Sequence, residues 1–156
     1  VLESKLALKP ANLTFEQAAV VPISGRTAQQ GVRDHGRVQA GQRVLITGAS
    51  GGVGTYIVQL VKAFGAEVTA ECSTTKLDLV RSLGADHVVD YTHEDFAAGG
   101  PQYDVILDIG GNASLSRLRA ALVPEGTLVI MGGETDGRWL GGSDGHARGK
   151  LVITLP

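Results

Sequence analysis

The run Val44-Leu45-Ile46-Thr47 passes without a linker into Gly48-Ala49-Ser50-Gly51-Gly52-Val53-Gly54, and a helical pattern starts directly behind it. A short β-rich run, a turn of small residues and a helix in that order leave few architectures open. The helical stretch sets Val53, Ile57, Leu60, Val61 and Phe64 on roughly one face and stops at Gly65, so its apolar side has to lie against a sheet.

The same alternation continues downstream. Residues 67–72 read as the next strand and 75–83 as the next helix, with Ser73 or Thr74 as its cap and Gly84 as its end. Strands are expected over 87–90, 103–108 and 127–131, with a helix over 113–122 between the last two. Continuous apolar runs such as Val105-Ile106-Leu107 suit strands covered on both faces. The expected fold class is α/β, a Rossmann-like doubly wound, mainly parallel sheet. Upstream, Thr14 followed by Gln17 has the spacing of a capping box and starts a short helix over 15–19, which Pro22 and Gly25 interrupt. A second helix over 24–35 ends near Gly36. Residues 151–155 form a sixth strand candidate with no assigned place in the sheet.

In the turn, Ala49, Gly51 and Gly54 fall on the three positions of the G-x-G-x-x-G spacing, with alanine for the first glycine. Behind a strand and ahead of a helix, that spacing reverses the chain tightly, lets backbone approach a diphosphate and lets the helix pack closely. The amino end of the helix offers N–H donors and the positive end of its dipole. Ala49, Ser50, Gly51, Gly52, Val53 and Gly54 are therefore candidate cofactor-binding residues. A Cβ at Gly51 would project into the diphosphate, whereas Gly54 is limited by helix-to-sheet packing.

The same letters carry other readings. Gly48-Ala49-Ser50-Gly51-Gly52 also spells G-x-S-x-G, which makes Ser50 a candidate hydrolase nucleophile with Asp108 and His146 as partners. The two glycines that follow suit a phosphate better than an acyl group. A short-chain reductase would need Tyr-x-x-x-Lys, absent after Tyr56, Tyr91 and Tyr103, and a Walker A loop would need a lysine directly after its last glycine, where Gly54 is followed by Thr55 and no lysine until Lys62.

At the adenosine end, Glu71 lies about 20 residues past the turn, where a carboxylate can accept hydrogen bonds from the ribose hydroxyls of NAD. Ser73, Thr75 and Lys76 follow at once; Lys76 can neutralise a 2′-phosphate and Ser73 can donate to it, which favours NADP. The residues leave both cofactors open. Tyr91, Ile109-Gly110 and Gly132 end later strands on the same carboxyl edge, placing Tyr91 near adenine and the backbone after Asp108 near the ribose or nicotinamide.

Composition removes several classes. At 156 residues the chain suits one ordinary core, and 14 Lys and Arg against 16 Asp and Glu give a net charge of -2 with no basic stripe for nucleic acid. Cys72 is the sole cysteine, and His35, His87, His93 and His146 lack ligand spacing, so zinc is not expected. No apolar run approaches a membrane span, and a cytoplasmic location is expected.

Leu8-Lys9-Pro10-Ala11-Asn12-Leu13-Thr14, Gly31-Val32-Arg33-Asp34-His35-Gly36, Gly41-Gln42-Arg43-Val44-Leu45-Ile46, the turn through Gly54 and Leu83-Gly84-Ala85-Asp86 together resemble the medium-chain dehydrogenase/reductase superfamily. The likeness is to its quinone-oxidoreductase-like and zinc-type alcohol-dehydrogenase-like members. It implies hydride transfer between NAD(P)H and a carbonyl, enone or quinone, a small molecule held in a cleft against a separate GroES-like catalytic domain. By the same resemblance Ser73 and Lys76 match residues that meet the NADP phosphate and Tyr91 one beside the adenosine. Glu71 departs from the small or apolar residue of NADP-using relatives; NADP is the preferred cofactor and NAD the alternative.

The resemblance further implies that residues 1–36 are a lead-in with helices packed on the cofactor domain, 37–140 the dinucleotide-binding core, and 141–156 a glycine-rich connection with a terminal strand. On this resemblance the catalytic domain is not expected within these residues, no catalytic residue is assigned, and residues 145–154 follow 139–141 as though intervening elements were removed. A homodimer is a candidate assembly. A catalytically silent nucleotide-binding regulatory module is the competing reading.

Overall fold

A computed structural model describes residue 4, residues 6–131 and the backbone of residues 151–154. Its centre is a six-stranded sheet in the order β3-β2-β1-β4-β5-β6, comprising β1 (Arg43–Thr47), β2 (Glu67–Cys72), β3 (His87–Asp90), β4 (Tyr103–Asp108), β5 (Leu122–Ile130) and β6 (Leu151–Thr154). The first five run parallel; β6 joins the edge antiparallel to β5, with Leu128 opposite Ile153. The sixth strand candidate thus has a place. Glycines of the expected connection at 132–150 lie outside the described residues, as do Gly132 and His146.

Alternation along the strands builds two apolar layers. Val44, Ile46, Val68, Ala70, Val105 and Leu107 face α2 (Gly52–Ala63), whose Ile57, Val58 and Val61 are fully buried. Each of those three stabilises the fold by about 1.5–3 kcal/mol relative to an exposed position. Leu45, Ile106 and Leu128 face the other way, towards Phe96 and Leu118 of α4 (Leu115–Ala121). Coverage of both faces is why the strands read as continuous apolar runs.

Three local expectations need correction. Pro22 and Gly25 do not interrupt a helix: α1 runs unbroken over Phe15–Gln29 behind the Thr14–Gln17 capping box, and a wider π-helical turn, Gln30–His35, continues it. Pro22 is exposed, so its ring meets solvent, and the helix runs on through Gly25, where a Cβ would stand 3.2 Å from Val21 Cγ1 of the same helix and in ordinary contact, 3.9 Å, with the Tyr56 ring of α2. Gly31 admits a neighbour closely, since a Cβ there would lie 2.1 Å from Met131 Sδ. That glycine permits close packing, and packing outweighs propensity.

Next, the helix expected over 75–83 begins as a 3₁₀ turn, Thr74–Lys76, before α3 (Leu77–Ser82). Neither Ser73 nor Thr74 caps it through a side chain; Thr74 Oγ1 donates to Asp90 Oδ2 at 2.6 Å. Finally, the helix expected over 113–122 is shorter, starting behind the Ser114 cap, and the last parallel strand begins at Leu122 rather than 127. An irregularity in the β4–β5 register, with Glu125 at φ 65°, absorbs Pro124 and Gly126.

Candidate functional site

The strand order reverses between β1 and β4, and a crevice at the carboxyl ends of such strands is where doubly wound sheets take ligands. The glycine turn sits there. Gly48 has φ 66°, and a Cβ on it would lie 2.8 Å from Gly110 N, so the turns after β1 and β4 touch backbone to backbone. Ala49 is fully buried in the core, and its N–H donates to the Glu71 carbonyl at 3.0 Å, tying the turn to β2. That amide is spoken for, which moves the donor role to the residues behind it.

Gly51 closes the amino end of α2 in an extended conformation with no side-chain cap. The first-turn amides of a helix have no carbonyl of their own helix to bond. Gly51 and Gly52 are exposed, Ser50 and Val53 half-buried. A Cβ on Gly51 would meet only Gly48 O, at 3.4 Å, and otherwise enter open space. Gly54 is buried, and a Cβ there would come within 2.3 Å of Gly48 O and 2.7 Å of the Ala49 backbone. Its constraint is thus the turn's own backbone rather than helix against sheet. An open glycine followed by an uncapped helix end fits the diphosphate of a dinucleotide.

Beside the turn, a polar row crosses three strands. Thr47 pairs with Asp108 in the parallel register, and Glu71 follows the Ile46–Ala70 pair. By strand alternation all three project to the α4 face. Thr47 and Asp108 are buried to 2% and 0% exposure. Thr47 Oγ1 donates to Asp108 Oδ1, which also accepts from Gly111 N at 3.2 Å; Gly110 N in turn donates to Thr47 Oγ1 at 3.3 Å. Among the described residues Asp108 Oδ2 has no hydrogen-bond partner. Burial pushes the Asp108 carboxyl above its ordinary range, against the hydrogen bonds from Thr47 and Gly111. The Glu71 carboxyl is pushed up to about 7, chiefly by burial; Arg117 of α4 opposes this, while Asp108 and Asp95 add to it.

Toward adenosine the site is more open. Ser73 is half-buried, Lys76 exposed on its 3₁₀ turn, and Tyr91 56% exposed with its N–H on the Cys72 carbonyl at 3.2 Å. Asp90, a residue the sequence did not single out, organises this end: its carboxylate accepts from Thr74 Oγ1 and from Thr92 N and Oγ1, and these bonds hold its carboxyl below the usual range. An Asp two residues ahead of a Thr at a strand end was the available signal. Ile109 and Gly110 are half-buried over the β4 end, with Ile109 N on the Thr47 carbonyl at 3.3 Å. Thus the turn, Glu71 and Ile109-Gly110 come together, Ser73, Lys76 and Tyr91 extend the same edge, and Gly132 is undescribed.

The Ser50 hydrolase arrangement finds no support. Its proposed acid, Asp108, spends Oδ1 on Thr47 and Gly111, and its proposed base, His146, lies outside the described residues. Among the described residues no group of three or more His, Cys, Asp or Glu side chains is placed to hold a metal, and no helix is long and apolar enough to cross a membrane.

A sheet of this order with an open glycine turn at its reversal is the architecture of doubly wound dinucleotide-binding folds. The sequence pattern of the zinc-binding dehydrogenase family matches residues 52–143, more than half of the chain, and the protein belongs to that family. An NADPH-dependent alkenal/one oxidoreductase of Arabidopsis thaliana, a chloroplastic protein, is 45% identical over 83% of this chain and 33% of its own length. Among solved structures, an NAD-dependent alcohol dehydrogenase superposes with a TM-score of 0.76 at 36% identity, over 83% of this chain and 40% of that one. A quinone oxidoreductase from Coxiella burnetii gives 0.70 at 32% identity, over 77% and 38%. The chain spans about a third of the length of the curated relatives it matches first. Since the plant relative is chloroplastic, family membership carries no support for the cytoplasmic expectation.

Proposed function

We propose that this chain is the cofactor half of an NADPH-dependent oxidoreductase that transfers hydride to an enone or related carbonyl or quinone substrate. The observation that carries the reading is the uncapped amino end of α2 behind an exposed Gly51, at the reversal point of the sheet. When bound, the nicotinamide ring supplies the hydride. The residues here bind and orient: the amides of Gly52, Val53 and Gly54 meet the diphosphate, and Ile109-Gly110 back the nicotinamide end. Ser73 and Lys76 meet the 2′-phosphate, and Tyr91 flanks the adenine.

Glu71 bears on cofactor choice. As a carboxylate it would repel a 2′-phosphate; with its carboxyl pushed up to about 7 it is largely neutral in mildly acidic solution and tolerates one. The enone preference rests on the alkenal/one relative, and the quinone alternative on the Coxiella structure. On this reading the dinucleotide-binding core is assigned to residues 37–140, the lead-in, whose α1 packs on α2, to 1–36, and the connection with the edge strand to 141–156. By the family resemblance, the substrate side of the cleft is assigned to the two thirds of the relatives' length that the match does not span. Titration of the folded chain with NADPH and NADH tests the reading: saturable binding of NADPH, tighter than NADH at pH 6, is expected, and binding of neither at millimolar concentration overturns it.

A further inference from the structure

We infer that Thr47 and Asp108 are positioning residues that set the distance between the diphosphate turn and the loop after β4, so that one rigid dinucleotide spans both. The inference rests on the cofactor reading above and assigns these two residues a part in it.

The argument begins with the two turns. One follows β1 and carries the helix end; the other follows β4 and begins at Ile109. Nothing in the chain connects them locally, since 61 residues separate Thr47 from Asp108. Their spacing must come from tertiary contacts: the parallel β1–β4 register, which pairs Thr47 with Asp108, and side-chain hydrogen bonds centred on Thr47 Oγ1 and Asp108 Oδ1. Thr47 Oγ1 donates to Asp108 Oδ1 and accepts from Gly110 N at 3.3 Å, while Asp108 Oδ1 also accepts from Gly111 N at 3.2 Å. The Thr47 carbonyl takes Ile109 N at 3.3 Å, and the Asp108 carbonyl takes Met131 N at 2.8 Å, extending the arrangement to the end of β5. Three successive amides of the β4 loop, those of Ile109, Gly110 and Gly111, thus hang on Thr47 and Asp108.

Sterics set the lower limit and hydrogen bonds the upper one. The turns cannot come closer than the Gly48–Gly110 contact, where a single added Cβ would sit 2.8 Å from the facing nitrogen. They cannot drift apart without leaving a sealed hydroxyl or carboxylate unpaired, a loss on the order of 1–3 kcal/mol per group. A buried carboxylate with one oxygen unpartnered among the described residues is itself costly, and a nonpolar pair would fill the same space without that cost. Its retention here is accounted for by direction: hydrogen bonds fix angle and distance where apolar contact would not.

The test separates the two ends of the ligand. NADPH spans both turns, whereas 2′-phospho-ADP-ribose, the same molecule without the nicotinamide ring, engages the first turn and the adenosine end. For Thr47→Val, the dissociation constant of NADPH is expected to rise about tenfold, as for one lost buried hydrogen bond. That of 2′-phospho-ADP-ribose should stay within about twofold, and Thr47→Ser, which restores the hydroxyl, should return NADPH binding to the parent value. If Thr47→Val does not fold, Asp108→Ala removes the shared acceptor and carries the same comparison, with Asp108→Asn, which keeps Oδ1, as its rescue. Equal weakening of both ligands, or of neither, overturns the inference and leaves the cofactor reading standing. A parent chain that binds neither ligand overturns both.

Discussion

The two ends of the candidate cofactor groove are built by different means. At the diphosphate end, position is enforced by backbone against backbone: Gly48 on Gly110, Gly54 on the Gly48 carbonyl, Ala49 N–H on the Glu71 carbonyl. At the proposed adenosine end, exposed side chains stand on a short 3₁₀ turn, with Asp90 gathering Thr74 and Thr92 by hydrogen bonds. The first end has little freedom to vary; the second can exchange residues without disturbing the sheet. On the proposed reading, the difference makes having a site separable from choosing its ligand, and substitutions at the two ends should fail in different ways.

The most severe failure belongs to Gly54. With a Cβ forced to within 2.3 Å of Gly48 O, a backbone atom that cannot swing away, Gly54→Val should lower stability by at least the ~1–3 kcal/mol typical of overpacking and abolish NADPH binding, read by thermal unfolding and titration. Gly51→Ala, three residues away, should dissociate the two effects. Its Cβ has room and its φ of -77° suits alanine, so the melting temperature should hold while the NADPH dissociation constant rises tenfold or more, on the order of the ~1.4 kcal/mol that such a factor represents. Loss of stability in both variants would erase the distinction between packing and binding glycines.

At the other end, Lys76→Ala should weaken NADPH roughly tenfold and NADH less than twofold, because one charged phosphate contact is removed from a side chain that holds nothing else in place. Equal losses would sever Lys76 from the 2′-phosphate. The smallest expected effect concerns Glu71. Its folded-state carboxyl is raised from the model-compound value of 4.5 to about 7, so the folded protein holds a proton that the unfolded chain has released between those values. The stabilisation is complete below about pH 4.5 and is lost as pH rises through 7. Glu71→Gln should flatten stability over that window and raise it at pH 8 by on the order of 1 kcal/mol, a value reduced for partial exposure. The preference for NADPH over NADH should likewise stop falling with pH in this variant.

Much of the core was legible in the chain because local and global preferences agree there. The runs at 67–72, 87–90 and 103–108 are strands with the expected bounds, since residues buried on both faces leave an unbroken apolar pattern. Gly31 was opaque for the opposite reason: a glycine that admits Met131 looks in sequence like one that breaks a helix, and only the partner distinguishes them. The Thr47–Asp108 pair is equally invisible from one dimension. It depends on a parallel register between segments 61 residues apart, and nothing near either residue announces it. The last parallel strand reaches back to 122, beyond the expected 127, because the sheet takes up Pro124 and Gly126 as an irregularity, which no local pattern announces.

The central claim is that the amides opening α2 receive a dinucleotide diphosphate, and amide-resolved NMR of the isotope-labelled chain during NADPH titration addresses it most directly. The account predicts that the largest shift changes fall on Gly51, Gly52, Val53 and Gly54, with a second group at Ile109 and Gly110 that 2′-phospho-ADP-ribose fails to reproduce. Saturating shifts confined to any other edge of the sheet, with the 51–54 amides unmoved, would contradict it.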